Sequence, residues 1–154
     1  MKDLFLSLQA RIKAQAPSLK LVDFYNRQFE ETNNDEVELN KQQAIPYPNC
    51  FIQFSGDNPQ VSAGAGAKRL DVLITFKIGF ESYKLVPLEM FDTAQLVQAA
   101  VENFKDTMMT PLQYRNQRVC HDYTNVVIYE YDYATNYSDN IKYILNNIVI
   151  NSVG

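Results

Sequence analysis

His121 is the only histidine in the chain, and it stands between Cys120 and Asp122. A histidine beside a thiol is the pairing of a nucleophile with its base. The spacing works against it here. Neighbours along a strand point to opposite faces, so Cys120 and His121 do not make a dyad. A single histidine excludes any His-based metal cluster. His121 with Glu130 and Asp132, which share a strand face, could in principle supply a facial triad of metal ligands. A surface or interface histidine is the simpler reading. Gly64, Gly66 and Lys68 invite a phosphate-loop reading. That loop needs four residues between its glycines, then Gly-Lys-Ser/Thr and a helix. None of these is present, and a strand follows. Residues 30–41 carry five acids against one lysine. No glycine provides the turn of an EF-hand there, so the run reads as a solvated loop and not a calcium site. Asn136-Tyr137-Ser138 matches a glycosylation sequon, a chance match without a secretory route. No nucleophile elbow, zincin helix or dinucleotide fingerprint occurs. No catalytic, cofactor-binding or metal-binding residue is expected, and the chain does not read as an enzyme.

The elements that would position any site are legible in the hydrophobic pattern. Residues 68–82 read as one long strand and organise the rest. Leu70, Val72, Ile74, Phe76, Ile78 and Phe80 fall on one parity. Arg69, Asp71, Thr75, Lys77 and Glu81 fall on the other, interrupted by Leu73 and Gly79. Such alternation predicts a buried face and a wet face. Residues 1–16 predict a helix, with Leu4, Phe5, Leu8 and Ile12 on one arc and Pro17 as its stop. Residues 19–29 predict a strand. Pro46 and Pro48 lead into a short strand at 50–55, and residues 56–67 follow as a long turn-rich connection of the kind a partner can order. After a turn at Pro87, Asp92 and Gln95 make a capping box, with Phe91 and Leu96 at staple positions. A helix at about 93–108 follows, ended by Pro111. Its apolar stripe is Leu96, Val97, Ala100, Val101, Phe104 and Met108. Further strands are predicted at 117–123, 124–133 and 141–150, with polar 134–140 as a connection. The last of these is apolar on both faces, which suggests a second layer or a partner. Val127, Tyr129, Tyr131 and Tyr133 share one face of the strand before it. The expected fold is a single α+β domain over residues 1–154. Its sheet is mainly antiparallel, of four to six strands, under the two helices.

Composition bounds the function class. The chain has 154 residues, 46% hydrophobic and 21% charged, with ten tyrosines and no tryptophan. That suits one globular domain with its own core. No apolar run approaches the roughly 20 residues of a membrane helix, and no convincing signal peptide opens the chain, so cytoplasmic production is expected. Cys50 and Cys120 are too few and too isolated for a disulfide framework and read as buried thiols. A net charge of −4 and a pI near 4.9 argue against a free-standing nucleic-acid binder.

The order of parts carries a resemblance. An N-terminal helix and a variable polar stretch precede a proline-flanked strand, IPYPNCFIQF. A long loop leads to a strand that begins with basic residues, KRLDVLITFKIGF. One amphipathic helix follows, then an acidic, tyrosine-rich segment, HDYTNVVIYEYDYATNYSDNIKYI. This resembles the tail terminator (tail-completion) proteins of long-tailed bacteriophages and prophages. The resemblance implies a virion-tail protein assembled in the host cytoplasm. Such a subunit forms a homo-oligomeric ring, usually of six. The ring caps the tail tube, stops its growth and joins it to the head connector, while DNA passes through the lumen without specific binding. No cofactor or membrane is implied. An acidic lumen would let DNA slide. Ring contacts would fall on Gly64, Gly66, Lys68 and Arg69 and on the tyrosine face, Tyr129, Tyr131 and Tyr133. Another neck or head–tail joining subunit, or a non-viral small-molecule or protein-binding α+β domain, are the alternatives.

Overall fold

The computed structural model describes residues 2–32, 45–60, 67–81, 87–105, 109–121 and 125–140. It is an α+β fold. In chain order the elements are helix α1 (Lys2–Gln15), strand β1 (Leu21–Phe24), a one-turn helix α2 (Gln28–Thr32), strands β2 (Asn49–Gln60) and β3 (Ala67–Glu81), helix α3 (Pro87–Val101), and strands β4 (Gln113–Cys120) and β5 (Val126–Asn140). The strands form one sheet in the order β1-β2-β3-β5-β4. Three neighbouring pairs are antiparallel and β1–β2 is parallel. A parallel pair needs a long crossover, and residues 25–48 separate these two strands.

β3 is the spine. It pairs with β5 over fifteen register positions, from Ala67↔Asn140 to Glu81↔Val126, and with β2 on its other edge. Val72, Ile74, Phe76, Ile78 and Phe80 face the helices, as the alternation predicts. They join Leu4, Leu8 and Ile12 of α1 and Ala94, Val97 and Val101 of α3 in the main core. Arg11 crosses from α1 to α3, where its Nε donates to the Ala100 carbonyl at 2.5 Å and its guanidinium lies over the Phe104 ring.

From Thr75 onward the other face is not wet, contrary to expectation. Thr75 is buried and Lys77 half-buried. A second apolar cluster, Phe29, Phe51, Val126 and Ile128, closes one end of that face. Next to it the charged residues of β3, β5 and β4 neutralise one another across the ladder. Polarity in the sequence marked these side chains as polar, and register made them buried.

Several boundaries differ from the expectations. The strand foreseen at 19–29 ends at Phe24. Arg27 adopts a left-handed φ of 61°. That breaks the extended run and lets α2 swing the fully buried Phe29 onto Phe51. β2 runs to Gln60, so residues 56–60 are strand and not connection. Gly64 and Gly66 lie outside the described residues, as does most of the acidic run at 30–41. α3 begins at Pro87 and not at Asp92. Proline is well placed at a first helical position, where its missing N–H is not needed. Leu96 is 41% exposed, and the buried stripe is Met90, Ala94, Val97, Ala100 and Val101, continued past the helix by Phe104. The helix ends at Val101, well before Pro111, because Asn103 takes a left-handed φ of 53° and Phe104 N–H turns back to the Val101 carbonyl. Met108 lies outside the described residues. β4 begins earlier and ends earlier than 117–123. β5 continues through 134–140, since the first half of β3 offers that polar segment a ladder. The strand expected at 141–150 lies outside the described residues.

Candidate functional site

The charged ladder is the most concentrated polar chemistry among the described residues. It follows from register. Thr75 and Lys77 of β3 stand directly across from Asp132 and Glu130 of β5, and Arg118 of β4 stands across from Glu130 on the other side. All five side chains therefore share one sheet face. Thr75 Oγ1 donates to Asp132 Oδ1 at 2.7 Å, and Lys77 Nζ donates to Glu130 Oε1 at 2.9 Å. Arg118 Nη1 reaches Asp132 Oδ2 at 2.5 Å, while its Nε pairs with Glu130 Oε2. Lys77 Nζ also lies 4.6 Å from the centre of the Tyr25 ring. The Asp132 hydrogen bond, with the Glu130 charge adding to it, raises the Arg118 pKa above its ordinary value against the opposing effect of burial.

Two carboxylates and two cations make this set neutral. Glu130 and Asp132 are each only 7% exposed, and both are already bound to cations. That leaves them poor metal ligands, and no group of three or more His, Cys, Asp or Glu among the described residues is arranged to hold a metal ion. The ladder acts as a clamp: Arg118 ties the outermost strand to β5. His121 is exposed and follows the end of β4, outside the charged set. Cys50 is fully buried, and its burial pushes the thiol pKa well up. Cys120 is half-buried, and neither cysteine is in a disulfide.

The surface beside the clamp has a different character. β4 forms one end of the sheet, and its residues from Gln113 to Val119 are all exposed. Alternating side chains on both faces are thus open. On the helix side, α3 stops short of β4 and leaves a groove of about 660 Å³ between Phe91, Gln95 and Gln98 on one wall and Gln117, Val119 and Tyr129 on the other. Exposed apolar side chains line it: Phe91 is 50% exposed and Val119 45%. A second cleft, of about 520 Å³, lies between the start of α3 and the Tyr47-Pro48 segment, with Glu81, Glu89 and Asp92 on its walls.

The residues expected at contacts are distributed unevenly. Lys68 and Arg69 are in β3, in register with Asp139 and Ser138 of β5. Tyr131 and Tyr133 are 7% and 0% exposed and belong to the chain's own core. Their strand face is the helix-covered one. Tyr133 packs edge-on against Phe76 and donates its hydroxyl to Glu102 Oε2 at 3.0 Å. Burial, with that hydrogen bond, holds its pKa well above the usual tyrosine range, and burial raises Tyr131 as well. Tyr129 is the most open of the three, half-buried on the floor of the groove that Tyr131 also lines, and edge-on to Phe80 and Phe91. The pattern missed Arg118 and the exposed edge it holds. The available signal was residues 113–120, which carry two arginines, no acid and only Tyr114, Val119 and Cys120 as apolar residues. No protein-family model matches the chain, and no curated protein matches it.

Proposed function

We propose that this chain is a structural assembly subunit, and that the assembly is the one its sequence pattern resembles: a tail-terminator ring that caps a phage tail tube and joins it to the head connector. The observation that carries the reading is the edge of β4, open among the described residues. Its exposed backbone and side chains lie beside a groove lined by Phe91, Val119 and Tyr129. Soluble chains usually defend a sheet edge with charge, proline, a bulge or a covering element. Here the bulge between Tyr114 and Asn116 disturbs one end only, the charges of β4 are Arg115 at that bulge and Arg118, which is committed to Glu130 and Asp132, and Asn116 to Cys120 keep a regular register. An edge of this kind, with apolar side chains around it, is suited to neighbours.

The charged ladder supports the same reading. Its carboxylates are neutralised inside the chain and keep β4 in place, which is a structural use of acids and not a catalytic one. The test is native mass spectrometry over a concentration series with negative-stain images of the same sample, then binding to isolated tail tubes. Six-fold rings, or rings formed on the tube end, are the expected result. A chain that stays monomeric and ignores tail tubes refutes the proposal. So would a turnover activity that His121→Ala abolishes.

A further inference from the structure

Among the described residues the sheet has two open edges, β1 and β4. Strand direction relates them. β1 and β2 run the same way, and each of the three following pairs reverses direction, so β4 runs opposite to β1. A cyclic arrangement preserves each strand's direction along its axis from copy to copy. β4 of one copy laid beside β1 of the next would therefore pair antiparallel, the more stable ladder. The helix-covered faces would then all lie on the same side of the wall.

The side chains at the two edges fit. Phe24 at the β1 edge is 46% exposed, and its contacts with Phe5 and Phe54 put it on the helix side. Tyr114 and Val119 at the β4 edge are also on the helix side, in register with Tyr133 and Tyr129. Aromatic and β-branched side chains across a ladder attract. On the other face, β1 carries Asp23 and no cation, whereas β4 carries Arg118 and no acid, with Arg115 at the bulge. At the β1 edge, Tyr25 N–H donates to the Ile52 carbonyl at 2.9 Å, so the alternation turns the backbone groups of Val22 and Phe24 outward; there the Val22 carbonyl accepts from Gln9 Nε2 and the Phe24 N–H donates to Asp23 Oδ1, side-chain partners that a neighbouring strand would replace. A two-fold contact of β4 with β4 would set two arginine-bearing strands opposite each other, which is unfavourable.

We propose that β4 pairs head to tail with β1 of a second copy, so that one sheet runs on from subunit to subunit. This rests on the assembly reading. The test uses Phe24→Lys and Val119→Glu in the full chain, with folding checked by urea midpoint, and assembly read by native mass spectrometry in solution and on tail tubes. Each variant alone should associate about tenfold more weakly or worse. Mixing the two should restore assembly, because one junction is then wild type and the other places the introduced lysine against the introduced glutamate. If Phe24→Lys fails to fold, Asp23→Lys replaces it, and it should weaken assembly through repulsion from the arginine-bearing edge. Three results would overturn the contact and leave the assembly reading standing: Phe24→Lys (or its replacement) assembling like wild type, Val119→Glu doing so, or a mixture of weakened variants that gains nothing. A wild-type chain that never assembles would overturn both.

Discussion

Replacing Gly79 with alanine should destabilise this protein, although the same change in most strands is favourable. Gly79 stands in register with Asn49 of β2 and Ile128 of β5. A methyl group there would lie 2.5 Å from Asn49 Oδ1 and 2.7 Å from two carbons of the Phe29 ring, whereas ordinary contact begins near 3.4 Å. Both neighbours are fully buried, so neither can swing into solvent without loss. Asn49 is held by its Nδ2 donating to the Pro46 carbonyl at 3.0 Å, and its Oδ1 has no partner. Phe29 is held edge-on against Phe51 at 5.1 Å. Alanine in a strand gains roughly 0.5–1 kcal/mol over glycine from backbone entropy. Overpacking a closed core costs about 1–3 kcal/mol, and full ejection of a buried phenylalanine about 3–5 kcal/mol. The ring has to move but not leave entirely, so the net loss should be about 2 kcal/mol. Urea denaturation gives the number. A second variant identifies the cause. Phe29→Leu should cost clearly less on top of Gly79→Ala than on wild type, with a coupling of about 1 kcal/mol. A neutral or stabilising Gly79→Ala, or additive costs, would refute the packing argument.

Arg118→Ala removes the cation shared by Glu130 and Asp132 and leaves Lys77 to serve both. Breaking a buried pair costs about 3–5 kcal/mol. The Arg118 side chain is 45% exposed, so about 2 kcal/mol in urea denaturation is expected, with β4 amides exchanging sooner than those of β3. Breaking the exposed Arg27–Glu30 pair by Glu30→Ala should cost under about 0.5 kcal/mol. Tyr133→Phe loses the hydrogen bond to Glu102 and should cost about 1 kcal/mol at neutral pH. The raised pKa of Tyr133 means that the folded state holds its proton longer than the unfolded state does. Its contribution is complete below the ordinary tyrosine range near 10 and falls as pH rises through that range toward the folded value. Wild type should therefore lose stability above about pH 10 more steeply than Tyr133→Phe, as thermal melts over that range would record.

The pattern along the chain was enough for the architecture. The alternation in β3 located the central strand and its buried face correctly, and Leu4, Leu8 and Ile12 located α1. These depend on local periodicity, which one segment carries by itself. The α+β class followed from the order of such segments. Boundaries were less legible. Asn103 and Arg27, at left-handed φ, end α3 and β1, and neither residue type announces this in the way a glycine would. Residues 134–140 read as a polar connection because their pairing depends on β3, far away in sequence.

The candidate site was the part least visible beforehand. Glu130 and Asp132 were recognisable as sharing a face, and Thr75 and Lys77 as sharing another. That the two faces are the same face, with Arg118 completing it, depends on register between strands more than fifty residues apart. The tyrosines of β5 illustrate the same limit. Alternation placed Tyr129, Tyr131 and Tyr133 together but gave no indication of which side the helices would cover. Composition and periodicity alone therefore determined the class of fold, the strand at its centre and the absence of a recognisable catalytic motif, because each is a property of a short stretch or of the whole count. Only the tertiary structure decided which polar residues neutralise one another, which tyrosines are buried and which strand is left at an open edge. Those properties arise from pairings between distant segments, and a linear pattern does not encode the register that brings them together.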